Sequence, residues 1–251
     1  MKSDYTVSNV LSASWRAFSS QVWILVGLLI GYTILSFTLS AVLQPVFSTS
    51  VAGGLFVNLL SLAVSLIFTL GYLKNIFQTL DGDEPRFSAY GQQAHKALRL
   101  FVAVIIYSFT VSIAACVTII PYIYLLYQSV FAHVDLMRQS MPDIGWLPLF
   151  LTALGGLCLL LPAIYLGIRF MFCQAFIVDD NTGAIESLKK SWAITKGNMT
   201  FLVLLELVSF VIMIAGLMVF VIGIFVAVPL VYSMHCYTFR KLNRYRDDIA
   251  L

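Results

Sequence analysis

The stretch DDNTGAIESLKKSWAITKG, residues 179–197, decides how this chain is read. It lies between two long apolar blocks, and Ile185, Leu188 and Trp192 recur in it at the spacing of one helix face. Asp179 and Asp180 stand at its start and the lysines fall later, the order that a helix dipole favours. Gly197 is placed to end the helix. A helix this short does not persist alone in water. Burial of Ile185, Leu188 and Trp192 is worth roughly 1.5–3 kcal/mol each, so the stretch reads as an amphipathic helix lying flat on a membrane.

The rest of the chain explains why a membrane is needed. Of its 251 residues 60% are hydrophobic and only 11% charged, with a mean hydropathy of +0.93. A soluble chain carries roughly 25% charged residues. Lipid must therefore be the main solvent, and the expected class is an all-α membrane protein forming one integral membrane domain over residues 1–251. The first apolar block is too long for the apolar core of a secretory signal and is expected to remain as a span.

No charged residue occurs between Arg16 and Lys74. Residues 22–43 and 55–73 each approach the ~20 residues that cross a hydrocarbon core, with Gln44 and Pro45 and the following Ser/Gly cluster expected to turn the chain between them. A third span is expected over 100–127, kinked at Pro121 or tilted, and a fourth over 147–168, with Gly155 and Gly156 for close packing. From Phe201 to Phe239 only Glu206 and His235 interrupt an apolar run long enough for two spans, and Gly216 and Gly223 bracket the expected turn. The six spans form three hairpins, each preceded by an interfacial amphipathic helix. The first of these helices covers 5–20, with Val7, Val10, Leu11, Trp15 and Phe18 at helical spacing. The middle one follows the turn at Asp81, Asp83, Glu84 and Pro85, with a stripe of Phe87, Tyr90, Ala94 and Leu98.

Leu11 and the residues after it, LSASWRAFSSQVWILV, align with LKKSWAITKGNMTFLV from Leu188; both carry Leu-x-x-Ser-Trp before a span. Three repeats over 5–73, 85–168 and 179–240 are expected on this basis. When the spans are assigned alternately, every basic residue except Arg138 falls on one side. The positive-inside rule makes that side the cytoplasm, with both termini in it. The basic tail of Arg240, Lys241, Arg244 and Arg246 suits anionic membrane lipids and has no fold to present it to nucleic acid. Asn198, Met199 and Thr200 match a glycosylation sequon on the wrong side for modification.

Glu206 is the one acid inside an expected span, and an acid there is a functional hypothesis by default. It lies only about 7–8 Å along that span, close enough to its end to reach the headgroups or to pair with Arg169. His235 reads as a packed or snorkelling histidine. His133, Asp135, Met137 and Met141 lack a spacing that fixes a metal geometry, and Asp81, Asp83 and Glu84 lack the calcium-loop pattern. Cys116, Cys158, Cys173 and Cys236 are isolated in apolar surroundings. No metal, cofactor or catalytic motif is implied, so no enzyme activity is expected.

The segment from Tyr165 to Leu242, with Arg169 after a span, then IVDD, GAIESLKKSW, TKG and a Gly/Pro-marked hairpin, resembles the membrane domain of the glycerophosphoryl diester phosphodiesterase group and its uncharacterised bacterial relatives. The resemblance implies a membrane module without the hydrolytic domain, and marks Arg169, Asp179, Asp180, Ala184, Ser191, Trp192 and Gly197 as the matching positions. The function expected is non-enzymatic: a scaffold or accessory subunit that engages membrane lipid or a partner protein at the cytoplasmic face. The alternative is a small transporter or lipid-moving protein using Arg169 and Glu206 in a cytoplasm-facing cavity.

Overall fold

A computed structural model describes residues 6–47, 50–137 and 159–250. Arg138, Met141, Gly155, Gly156, Cys158 and the start of the fourth expected span lie outside the described residues, as do the side chains of His133, Asp135 and Met137. The described secondary structure is helical. It comprises α1 (Val7–Ser20), α2 (Val22–Phe47), α3 (Val51–Asp81), α4 (Ser88–Gln93) with a 3-10 turn (Ala94–Lys96), α5 (Ala97–Met137), α6 (Leu161–Phe170), α7 (Cys173–Val178), α8 (Ala184–Thr195), α9 (Met199–Met218) and α10 (Phe220–Ala250). Among the described residues six stretches are long and apolar enough to cross a membrane: Val22–Phe47, Val51–Asp81, Ser88–Tyr124, Leu161–Val178, Met199–Met218 and Ile222–Arg244. The protein is an all-α, multi-pass membrane protein.

The chain divides into two compact units, Met1–Ala103 with Met171–Leu251, and Val104–Phe170. In the first, α10 is central and packs against α1, α2, α3, α8 and α9. Phe239 on α10 sits among Phe77, Phe172 and Phe176, the last edge-on at 4.8 Å between centroids. Tyr72 meets Tyr232 edge-on and donates its hydroxyl to the Leu25 carbonyl at 3.4 Å. The second unit contains the rest of α5 and α6, where the Tyr107 and Phe170 rings pack edge-on at 6.4 Å.

Two turns show how lipid shapes the chain. Of the turn expected over Gln44, Pro45 and the following Ser/Gly cluster, Gln44 and Pro45 stay helical: α2 runs through Pro45 to Phe47, and within the cluster Ser50 caps α3 by accepting from the Gly53 amide at 3.0 Å. Leaving the helix exposes backbone groups that hydrocarbon cannot satisfy, so the helix persists. Between α9 and α10 the turn falls at Val219 as the glycines foretold. A side chain on Gly223 would collide with the Gly216 carbonyl, so the absence of one at both positions lets the two backbones touch.

The short helices bury small and polar residues and turn several large apolar ones outward. In α8, Leu188 is buried in the protein, while Ile185 and Trp192, from the stripe read as membrane-facing, point away from it, at 60% and 38% exposure. Ser187, Ser191, Ile194 and Thr195 join Leu188 on the inner face. The expected second helix is broken into α4 and the 3-10 turn, which runs straight into α5. Of its stripe, Phe87 and Leu98 are exposed and Tyr90 and Ala94 part-buried, while Ala89, Gln93 and Lys96 are buried. Small and polar residues permit close helix approach, while large apolar ones lose nothing by facing lipid. α1 buries the bulky apolar residues Val7, Val10 and Phe18, and it does so mainly against α10.

Candidate functional site

The polar residues at one end of the first unit converge on Arg240. α3 ends at Asp81, α7 ends just before Asp179, and α10 carries Arg240 past both. Arg240 grips Asp81 through Nη1 to Oδ1 and through Nη2 to Oδ2 at 3.0 Å. The same guanidinium reaches Asp179 through Nε to Oδ2 and Nη2 to Oδ1, both at 3.2 Å. It also lies over the Phe77 ring, 4.8 Å from the centroid. Arginine suits this place because its planar fork donates in several directions at once. One turn on, Asn243 donates to Asp180 at 3.3 Å.

Two more cations close the same end. Lys96 is buried, and its Nζ donates to the Val178 carbonyl at the last residue of α7, 3.0 Å away. A cation here satisfies an orphan carbonyl and the negative end of the helix. Arg99 donates to both the backbone oxygen and the side-chain oxygen of Asn181, at 3.2 and 3.1 Å. Asn181 has φ of +54°, a conformation that asparagine tolerates better than most residues.

The remaining sequence-selected residues fall elsewhere. Ser191 accepts from the Phe172 amide at 3.2 Å, which ties α8 to the start of α7. Gly197 has φ of +87° just after α8, as its position in the sequence foretold. Trp192 lies on the outer face of α8. On the exposed side of that helix Lys190 pairs with Glu186 at 2.9 Å, and this hydrogen bond holds the Glu186 carboxyl below its ordinary pKa. Arg169, in the second unit, is buried and donates through Nε and Nη2 to the Tyr165 hydroxyl at 2.9 and 2.7 Å. Glu206 was set against Arg169 in the sequence reading; the ion-pair neighbour the structure gives it is His235, whose Nε2 lies 3.2 Å from Oε1. Helix order hides this pair in a sequence, since the two residues meet only when α9 and α10 fold back on each other. Among the described residues no three His, Cys, Asp or Glu side chains converge as metal ligands. Cys173 and Cys236 are buried free thiols, and Cys116 is exposed.

A cavity of about 390 Å³ opens between α2, α3 and α4. Gly27 and Gly31 line it from α2, and Tyr32, Ile67, Phe68 and Tyr90 are among the other lining residues. Tyr32 and Phe68 stack at 3.8 Å.

These features define a multi-pass helical membrane protein whose polar end is closed by its own ion pairs. Residues 6–242 match the family described as Domain of unknown function (DUF7847), and the chain belongs to that family. It is similar to uncharacterised proteins of Mycobacterium bovis, 32% identical over 99 residues, and of Mycobacterium tuberculosis, 31% identical over the same length. The matched stretch is 39% of this chain and spans 30% of each relative. No solved structure matches the chain.

Proposed function

We propose that this protein is a non-enzymatic scaffold or accessory subunit of the bacterial cytoplasmic membrane, engaging lipid or a partner protein at its cytoplasmic face. The observation that carries this reading is the outer face of the short helices: Trp15, Phe87, Ile185 and Trp192 are exposed around a polar end whose charges serve one another. Large aromatic groups beside a basic rim are what a membrane boundary favours. The concentration of Lys and Arg at that end supports a cytoplasmic position for it, with both termini on that side. The likeness of residues 165–242 to the glycerophosphoryl diester phosphodiesterase membrane domain supports a membrane module without hydrolytic activity of its own.

The test is native mass spectrometry of the protein released gently from its own membrane. A stoichiometric lipid or a second polypeptide at fixed ratio is the expected result; a bare chain under every release condition overturns the reading. A reporter fused after Leu251 should sit in the cytoplasm, and a periplasmic signal overturns the orientation. The alternative, a small transporter or lipid-moving protein, is favoured by the Glu206–His235 pair, a titratable couple within α9 and α10. On that reading Glu206→Gln keeps expression and abolishes transport; unchanged transport removes it.

A further inference from the structure

The cavity between α2, α3 and α4 has a property that distinguishes it from loose packing. Its volume lies within the roughly 300–1,000 Å³ that ligand sites occupy. The α2 wall lacks side chains at two positions: a Cβ built on Gly27 or Gly31 meets nothing within 4 Å. The lining is apolar and belongs to membrane-spanning segments, so the medium at its mouth is hydrocarbon. An empty apolar cavity would forfeit dispersion contacts on every side. The occupant available to fill it is an acyl chain.

The head of that occupant is indicated by charge. Ile67 lines the cavity, Gly71 packs on Tyr90 one turn later, and Lys74 follows after another turn on the same face of α3. Lys74 therefore lies about 10 Å from Ile67 along the helix, toward the end where Arg240 is bound. It is half-buried and forms no hydrogen bond or ion pair among the described residues, unlike Lys96, Arg99 and Arg240. Lys96 and Arg99 add to the same positive field, since both lie within electrostatic reach of each other and Lys96 within reach of Lys74. A half-buried cation above an apolar cavity is complementary to an anionic amphiphile.

We propose that this cavity holds one acyl chain of an anionic phospholipid whose phosphate is held by Lys74. The site rests on the reading of the chain as a lipid-engaging membrane module. Gly31→Leu and Gly27→Leu each add a side chain at the cavity wall, where a Cβ meets no neighbour within 4 Å, and leucine favours the helix over glycine, so both variants should fold and melt no lower than wild type.

The experiment is native mass spectrometry of purified full-length chain titrated with phosphatidylglycerol and with phosphatidylcholine of the same acyl composition. Wild type should retain one phosphatidylglycerol in preference to phosphatidylcholine. Each leucine variant should lose retention of both lipids. Lys74→Gln should keep phosphatidylcholine binding and lose about fivefold of the preference for phosphatidylglycerol, the equivalent of one lysine at an anionic surface. Leucine variants that hold lipid as wild type does overturn this site and leave the lipid-engaging reading intact. An unchanged headgroup preference in Lys74→Gln overturns the role of Lys74. Wild type that retains no lipid here, and emerges from its own membrane without lipid or second polypeptide, overturns both proposals.

Discussion

The segment α1–α2 and the segment α8–α9 have the same register but different interiors. α1 begins at Val7 and α8 at Ala184; α2 begins at Val22 and α9 at Met199, so both pairs are 177 residues apart. Val10, Ser14, Phe18 and Leu25 in one have buried counterparts at the same displacement in the other, Ser187, Ser191, Thr195 and Leu202; Val7 in the first and Leu188 and Ile194 in the second are buried besides. What differs is the neighbour. α1 lies on the long helix α10 and fills the space with Val10 and Phe18. α8 lies on the short helix α7 and approaches it with hydroxyl side chains, one of which serves a backbone amide. Position along the chain sets which residues face inward, and the partner sets how large they are.

The largest expected effect tests that statement directly. Phe18→Ala leaves a cavity against α10 and should cost about 3–4 kcal/mol, the usual range for a buried phenylalanine, whereas Thr195→Ala at the matching position should cost about 1 kcal/mol. Both are read as the temperature at which half the protein leaves its monodisperse peak in mild detergent. Equal losses would mean that the two interiors are equivalent after all.

Next in size is Arg240, which joins the two segments' flanking helices. Arg240→Gln releases Asp81 and Asp179 together and should cost about 2–3 kcal/mol. This is below the roughly 3–5 kcal/mol of a fully buried pair because the Asp81 side chain is 47% exposed. Asp179→Asn should destabilise more than Asp81→Asn, since Asp179 is the more buried acceptor. The reverse order would shift the weight of the clasp to α3.

The paired serines sharpen the comparison. Ser191→Ala strands the buried Phe172 amide and should cost about 1–2 kcal/mol. Ser14→Ala should change stability by less than ~0.5 kcal/mol, because the Ser14 hydroxyl has no hydrogen-bond partner among the described residues. The smallest effect belongs to Glu186 on the exposed side of α8. Its carboxyl is held below its ordinary pKa by Lys190, so the pair's contribution is present above the unfolded pKa and is lost as pH falls through the lowered folded value. Glu186→Gln should remove that acid dependence and leave the neutral-pH melting temperature within replicate scatter.

The spans were legible because hydrocarbon demands length and tolerates few charges, and the gap from Arg16 to Lys74 satisfies both. The hairpin at Gly216 and Gly223 was legible for a similar reason: two small residues beside a needed turn have few other uses. The inner faces were not. A stripe such as Ile185 and Trp192, or Phe87 and Leu98, tells which side seeks lipid but not which residues meet the protein; in water the same apolar area would have to find a core. Beside lipid that pressure disappears, and Ser187, Ser191, Thr195 and Gln93 take the inner positions. Of the candidate site, Asp179 and Asp180 were chosen from a local pattern, and their partners Arg240 and Asn243 were missed as such. A carboxylate and its guanidinium 61 residues apart leave no signature in spacing. The tail arginine looked like a lipid anchor because its charge was visible and its partner was not.

The reach of Arg240 also bears on how the protein is made. Asp81 precedes it by 159 residues, which a ribosome adding about 5–20 residues per second takes roughly 8–32 s to cross. Until then Asp81 waits at the membrane surface without its partner, in a nascent chain whose first hairpin is already synthesised. Completion of the clasp is thus a late event of biogenesis, and a chain stopped before α10 would present two unneutralised aspartates to the machinery that removes unfinished membrane proteins.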